Sequence, residues 1–140
     1  MNQTLLLIKP NVVKNNMVGE VIASLEKNGL VIENMKMEKL TTRRAKEFYS
    51  VHKGKPFFDK LVEFMTSGSI VEIILEVSEE NRNRNIVEYV RKVIGNTDPE
   101  KAGHGTIRSR FGDSVTENAV HASDSAENAV WEIEFMFGSG

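Results

Sequence analysis

Two short apolar runs constrain this chain more than any other feature. Thr4-Leu-Leu-Leu-Ile-Lys9, stopped by Pro10, has no polar residue between its ends, and Ile70-Val-Glu-Ile-Ile-Leu-Glu-Val77 is nearly as apolar and rich in β-branched residues. A strand with one face in water alternates apolar and polar side chains, so a run without alternation reads as a strand buried on both faces. Lys9 then stands at the end of the first such strand. Between the two runs the spacing changes to that of helices. Val18, Val21, Ile22 and Leu25 mark a helix face that Asn28-Gly29 ends, and Leu30 to Leu40 returns to strand, with Met35 and Met37 alternating against charged neighbours. Thr41 or Thr42 caps a helix through Tyr49; after the turn Lys53-Gly54-Lys55-Pro56, Phe58, Leu61 and Met65 place a second helix over 57–67.

Beyond the second run, Ser78 to Arg84 has the composition of a solvated loop, and Ile86, Val87, Val90, Val93 and Ile94 resume helical spacing until Gly95. From Asn96 to Phe111 the pattern breaks into Thr, Asp, Pro, Gly and His, a long irregular segment of the kind that carries function inside a compact domain. Asn118 to Val120 gives a last short strand. Ser123-Asp124-Ser125 then caps a helix in which Ala126, Ala129, Val130, Ile133 and Phe137 recur. The order β-α-β-(α-α)-β-α-β predicts an α+β split β-α-β sandwich with an antiparallel sheet and helices on one face.

At 140 residues with 40% hydrophobic content, the chain suits one domain spanning 1–140. Its net charge of -2 gives no global drive toward nucleic acid or an anionic membrane, so any phosphate binding must be local. The absence of cysteine excludes thiol catalysis and a disulfide framework, and the chain enters structure at Thr4 without a leader-like segment; a cytoplasmic protein is the expectation.

The chemistry gathers around His121. An imidazole just before a capped helix N-terminus has a near-neutral pKa and stands where backbone N–H groups favour an anionic reactant. His52 and His104 add no metal-ligand spacing, and neither a Walker-type loop nor G-x-G-x-x-G is present. Candidate phosphate ligands lie far apart in the chain: Lys9, Arg91, Thr97 and Arg108. Guanidinium forks, an ammonium and a hydroxyl suit the oxygens of a polyphosphate. Taken singly each has an ordinary reading, and Arg108 in particular could pair with Asp113. Phe57, at a helix start, is a surface on which a base could stack.

Asn118-x-x-His121-x-Ser-Asp-Ser, Gly105-Thr-Ile-Arg108, Gly95-x-Thr97-x-Pro99, Pro56-Phe-Phe58, Ser67-Gly68 and Thr4-Leu-x-x-Ile-Lys9-Pro10, in this order over roughly residues 3 to 137, resemble nucleoside diphosphate kinases. The resemblance implies a ferredoxin-like fold with a four-stranded antiparallel sheet and an inserted helical pair. It implies that His121 takes the γ-phosphate of a nucleoside triphosphate and passes it to a nucleoside diphosphate, with broad base specificity. Lys9, Arg91, Thr97 and Arg108 would hold phosphates, Asn118 would contact the sugar, Phe57 would pack on the base with Leu61 near it, and Tyr49 would sit beside the reacting phosphate. Glu132 would orient the histidine. Mg²⁺ would arrive on the nucleotide, with Asp124 reaching it through water at most and no direct protein ligand. A homo-oligomer built from dimers, a tetramer or a hexamer, is implied too, with no membrane or specific nucleic-acid partner.

This chain departs from the family pattern at Asn11, where Asp is usual, at Ala122, Ser69 and His104, and at Ser109-Arg110, where Gly-Asp is usual and subunit contacts could change. Ser78 to Arg84 holds about six extra residues, judged from the spacing between Ile70 and Arg91. The closing Gly138-Ser-Gly140 is either native or an added linker. A non-catalytic nucleotide-binding domain on the same scaffold would not need the intact histidine and phosphate set, and an acylphosphatase-like hydrolase would need an earlier arginine than Arg43.

Overall fold

The computed structural model describes residues 2–138; Met1, Ser139 and Gly140 lie outside them. Its centre is a four-stranded antiparallel sheet of β1 (Gln3–Ile8), β2 (Leu30–Glu38), β3 (Ile70–Val77) and β4 (Val120–Ala122), in the order β2-β3-β1-β4. The two apolar runs are the two inner strands. Leu5 to Ile8 and Ile73 are fully buried, which is why neither run can alternate. The edge strand β2 leaves Met35 and Met37 about half exposed.

Helices cover both faces of the sheet, not one as the element order alone predicted. Leu6, Ile8, Val71, Ile73 and Leu75 point to the side packed by α2 (Val18–Lys27) and α5 (Ile86–Ile94). Leu5, Leu7 and Ile70 point to the side packed by α3 (Thr42–Phe48), α4 (Phe58–Met65) and α7 (Ala126–Phe137). The inserted pair α3–α4 therefore supplies the second cover that a doubly buried strand demands.

Other local readings are corrected by capping chemistry. Pro10 does not merely stop β1: with its φ fixed and no N–H to lose, it starts α1 (Pro10–Lys14), whose N-cap is Lys9. The segment 96–111 is not wholly irregular. Asp98 caps a single turn over Pro99–Lys101, and Thr106 Oγ1 accepts from Ser109 N to start α6 (Ile107–Phe111), both too short to show a period. The inserted residues after β3 form a turn at Glu79–Asn81 and seat on the α2–β2 corner, where Ser78 N donates to Gly29 O at 2.9 Å. Gly29 has φ +78°, a conformation that favours glycine, and the Asn81 side chain packs over the space where a Cβ would stand.

The last strand starts two residues later than the pattern suggested. Ala119 has φ +79°, and Val120 N donates to Asn118 O at 3.0 Å, a tight turn that delays pairing. His121 consequently lies within β4, opposite Leu7 of β1.

Candidate active site

Alternation along β4 decides where His121 points. Val120 and Ala122 pack into the α2–α5 side, so His121 faces the side covered by α3 and α7. There Phe48 meets its ring edge-on with centroids 5.1 Å apart, and Tyr49 does so at 5.8 Å. Glu132, on the second turn of α7, accepts from His121 Nε2 at 3.0 Å. Ser123 Oγ donates to the same carboxylate oxygen at 2.7 Å and is itself met by Leu5 N at 3.4 Å. A carboxylate only accepts, so the imidazole proton sits on Nε2 and the Nδ1 lone pair is left available.

A cavity of about 650 Å³ opens in front of the ring, lined by Lys9, Tyr49, Phe57, Leu61, Arg91, Thr97, Arg108, His121, Asp124 and Glu132 among others. Of the residues picked out in the sequence, only Asn118 is not on the wall. It is buried behind Lys9, its Oδ1 accepting from Lys9 Nζ at 2.8 Å and its Nδ2 donating to Thr97 O and Val115 O at 2.9 Å each. Phe57 is exposed at the mouth, while Leu61 is buried beneath it.

The cations are tied to the strand that carries the histidine. Arg108 Nη2 donates to Val120 O at 2.9 Å and Arg91 Nη1 to Ala122 O at 3.3 Å, so the two guanidiniums bracket His121 through its neighbours' carbonyls. Arg108 Nη1 also reaches Gly95 O at 3.1 Å. Its pairing with Asp113, open on sequence grounds, does not occur; Asp113 instead receives Asn11 Nδ2 at 2.9 Å. Burial, and then the neighbouring Arg91, bring the Arg108 pKa down to about 10. Burial, and then Arg108, push the Lys9 ammonium down to about 7. Lys9, Lys55, Arg91 and Arg108 against Asp124 and Glu132 make the cavity locally positive although the chain is not.

Polar atoms here lack partners. The Tyr49 hydroxyl, His52 Nδ1 and Arg108 Nε are buried without a hydrogen bond. Burial, and then Glu132, push the Tyr49 phenol up, so it is a neutral donor. Buried groups left unpaired are costly, and the Tyr49 hydroxyl and Arg108 Nε are donors that suit a ligand rich in acceptors. Among the carboxylates of the described residues other than Glu132, Asp124 alone lines the wall, held by Asn128 Nδ2 at 2.5 Å. That is too few oxygen donors for a protein-built Mg²⁺ cage, and it suits an ion already carried on phosphates.

Sequence reasoning missed His52, Lys55, Val115 and Thr116, which also line the cavity. His52 follows Tyr49 by three residues on the single turn Ser50–His52, which turns both rings to one side: they stack at 6.4 Å, and His52 meets Phe57 edge-on at 5.1 Å. Burial, and then Lys55 and His121, hold the His52 pKa down. Spacing of three after Tyr49 was the available signal. Val115 had none, because a loop sets its place on the wall.

Comparison with known proteins agrees with this geometry. The family model described as nucleoside diphosphate kinase matches residues 2–140. The chain is 50% identical over 139 residues to nucleoside diphosphate kinase of Campylobacter concisus, covering 99% of this chain and 97% of that one. It is 49% identical to nucleoside diphosphate kinase 2 of Protochlamydia amoebophila, covering 99% and 93%. Among solved structures, the Aquifex aeolicus nucleoside diphosphate kinase superposes with a TM-score of 0.90 at 38% identity over 99% of this chain and 96% of that chain. The Encephalitozoon cuniculi enzyme gives 0.89 at 33% identity, covering 99% and 90%. With this agreement along the whole chain, from the two buried runs to the bracketed histidine, the protein belongs to the nucleoside diphosphate kinase family.

Proposed function

We propose that this enzyme transfers the γ-phosphate of a nucleoside triphosphate to a nucleoside diphosphate in two steps through a phosphohistidine at His121. The observation that carries the reading is the combination of an anchored Nε2 and an open Nδ1 facing a cavity of cations. In the first step the Nδ1 lone pair forms an N–P bond as the bond from the γ-phosphorus to the β,γ-bridging oxygen breaks, and the nucleoside diphosphate leaves. The Nε2 proton stays in place, and Glu132 stabilises the positive charge that develops on the ring. In the second step a terminal oxygen of another diphosphate attacks the phosphorus and the N–P bond breaks.

Lys9, Arg91, Thr97 and Arg108 hold phosphate oxygens and offset their charge, with catalysis by position and electrostatics. Tyr49 donates to the reacting phosphate. Mg²⁺ bound to the nucleotide would supply further charge neutralisation, with Asp124 the carboxylate nearest to it through water. Asn118 serves the sugar end of the site and holds Lys9. Phe57, with Leu61 and Val115 on the same cavity wall, packs on the base; stacking accepts any base, so broad specificity follows. A cytoplasmic homo-oligomer built from dimers, with neither membrane nor specific nucleic acid as partner, accompanies this reading; among the described residues no helix is long and apolar enough to cross a membrane.

Initial-rate kinetics test it. Parallel double-reciprocal lines, ATP–ADP exchange without a second nucleotide, and comparable rates with purine and pyrimidine diphosphates are expected, all lost in His121→Ala. Exchange that persists in His121→Ala would overturn the reading.

A further inference from the structure

Asn11 lies outside the cavity wall, yet one of its atoms is the meeting point of three oxygens. Its Nδ2 donates to Asp113 Oδ2 at 2.9 Å, to Glu117 O at 3.1 Å and approaches Phe111 O at 3.5 Å, while the residue is 6% exposed. Three acceptors around one position fix the amide orientation: an oxygen there would face only lone pairs. The site therefore selects a carboxamide and rejects a carboxylate, because two carboxylates at hydrogen-bond distance cannot both stay ionised.

What Asn11 holds is the loop 111–118. Glu117 O, one of its acceptors, also receives Asp113 N at 2.7 Å and Ser114 N at 3.2 Å, so the loop is folded on the same carbonyl that Asn11 grips. The loop in turn carries Thr116 O and Asn118 Oδ1, which accept from Lys9 Nζ at 3.3 and 2.8 Å, and Val115 at the mouth. Lys9 is the N-cap of α1 and Asn11 is two residues further along it. The loop is thus bolted to the helix start at two points, one of which is the buried cation of the cavity.

We infer that Asn11, paired with Asp113, is a positioning residue for nucleotide phosphate binding: it sets the loop that aligns Lys9, Asn118 and Val115. This rests on the phosphotransferase reading above and adds to it a residue that touches no substrate.

The test is an exchange cycle on the full chain: wild type, Asn11→Asp, Asp113→Asn and the double variant, which restores one amide and one carboxylate across the pair but not the bonds from position 11 to Glu117 O and Phe111 O. For Asn11→Asp, KM for the nucleotide at pH 8 should rise about tenfold or more, with a smaller change in kcat. The defect should shrink as pH falls and one of the two carboxyls takes a proton, and the double variant, rid of the carboxylate pair but still without a donor for Glu117 O and Phe111 O, should fall between Asn11→Asp and wild type. A merely structural role would lower the active fraction, leaving KM and the pH profile unmoved. Amide hydrogen exchange over 112–118 gives a readout that needs no activity: faster in Asn11→Asp, partly restored in the double variant. Asn11→Asp behaving as wild type, or a double variant no better than Asn11→Asp in both KM and exchange, would overturn the inference. Wild-type inactivity with the exchange pattern intact would count against the kinase reading and leave the bolt standing.

Discussion

At the residue scale, the site works by leaving chosen atoms unpaired. Glu132 spends its oxygen on His121 Nε2 and Ser123, which fixes the ring's tautomer and orientation. Glu132→Gln retains an acceptor but loses the charge that would stabilise the proposed phosphorylated ring, so kcat should fall on the order of tenfold to a hundredfold while the fold stays intact by circular dichroism. Lys9 gives a pH prediction. In the empty cavity its pKa is about 7, lowered first by burial and then by Arg108, and a bound polyphosphate raises it again. Between about pH 7 and the higher value of the complex, binding therefore takes up a proton, and affinity falls as pH rises through that window. Calorimetry at pH 8 in buffers of different ionisation enthalpy should show this uptake, and Lys9→Met should abolish it.

At the element scale, short caps and turns place the site, and this is where the sequence was least legible. The inner strands were plain from their lack of alternation, and His121, Lys9, Arg91 and Arg108 were visible as residue types. The bend at Ala119, the short helices α1 and α6, and the cover on the second sheet face were not, because they depend on a positive φ, on single capping bonds and on packing between distant segments. Asn118 shows the same limit: its motif was evident, but its burial behind Lys9 comes from contacts more than a hundred residues apart in the chain. Gly95 joins two of these elements. It ends α5 with φ +90°, its carbonyl accepts from Arg108, and a Cβ there would lie 2.6 Å from Thr106 Oγ1, the cap of α6. Gly95→Ala should cost about 2 kcal/mol in urea unfolding and weaken phosphate binding through Arg108.

At the scale of the whole molecule, one buried group stands apart from the site. Glu72 is fully buried on β3, with Lys36 Nζ at 3.5 Å, and burial followed by the nearby Glu38 raises its pKa to about 8. The folded chain thus holds a proton that the unfolded chain has released, and stability should fall as pH rises from about 4.5 toward 8. Glu72→Gln should flatten that slope and add more than about 1 kcal/mol of stability at pH 8. Arg110 is already engaged within the chain, donating to Ser24 Oγ at 2.7 Å and lying over the Phe111 ring. Sedimentation should give a species larger than a monomer, and a monomer would contradict the proposed homo-oligomer.

In the proposed reaction the anchored imidazole accepts phosphate on its free nitrogen, Nδ1. Incubation with γ-labelled ATP and Mg²⁺, followed by ³¹P NMR of the trapped protein, measures it directly. A single acid-labile signal from Nδ1-phosphohistidine at His121, discharged by added GDP, is the predicted result. Phosphate on Nε2 or on another residue, or transfer to GDP with no labelled protein, would contradict it.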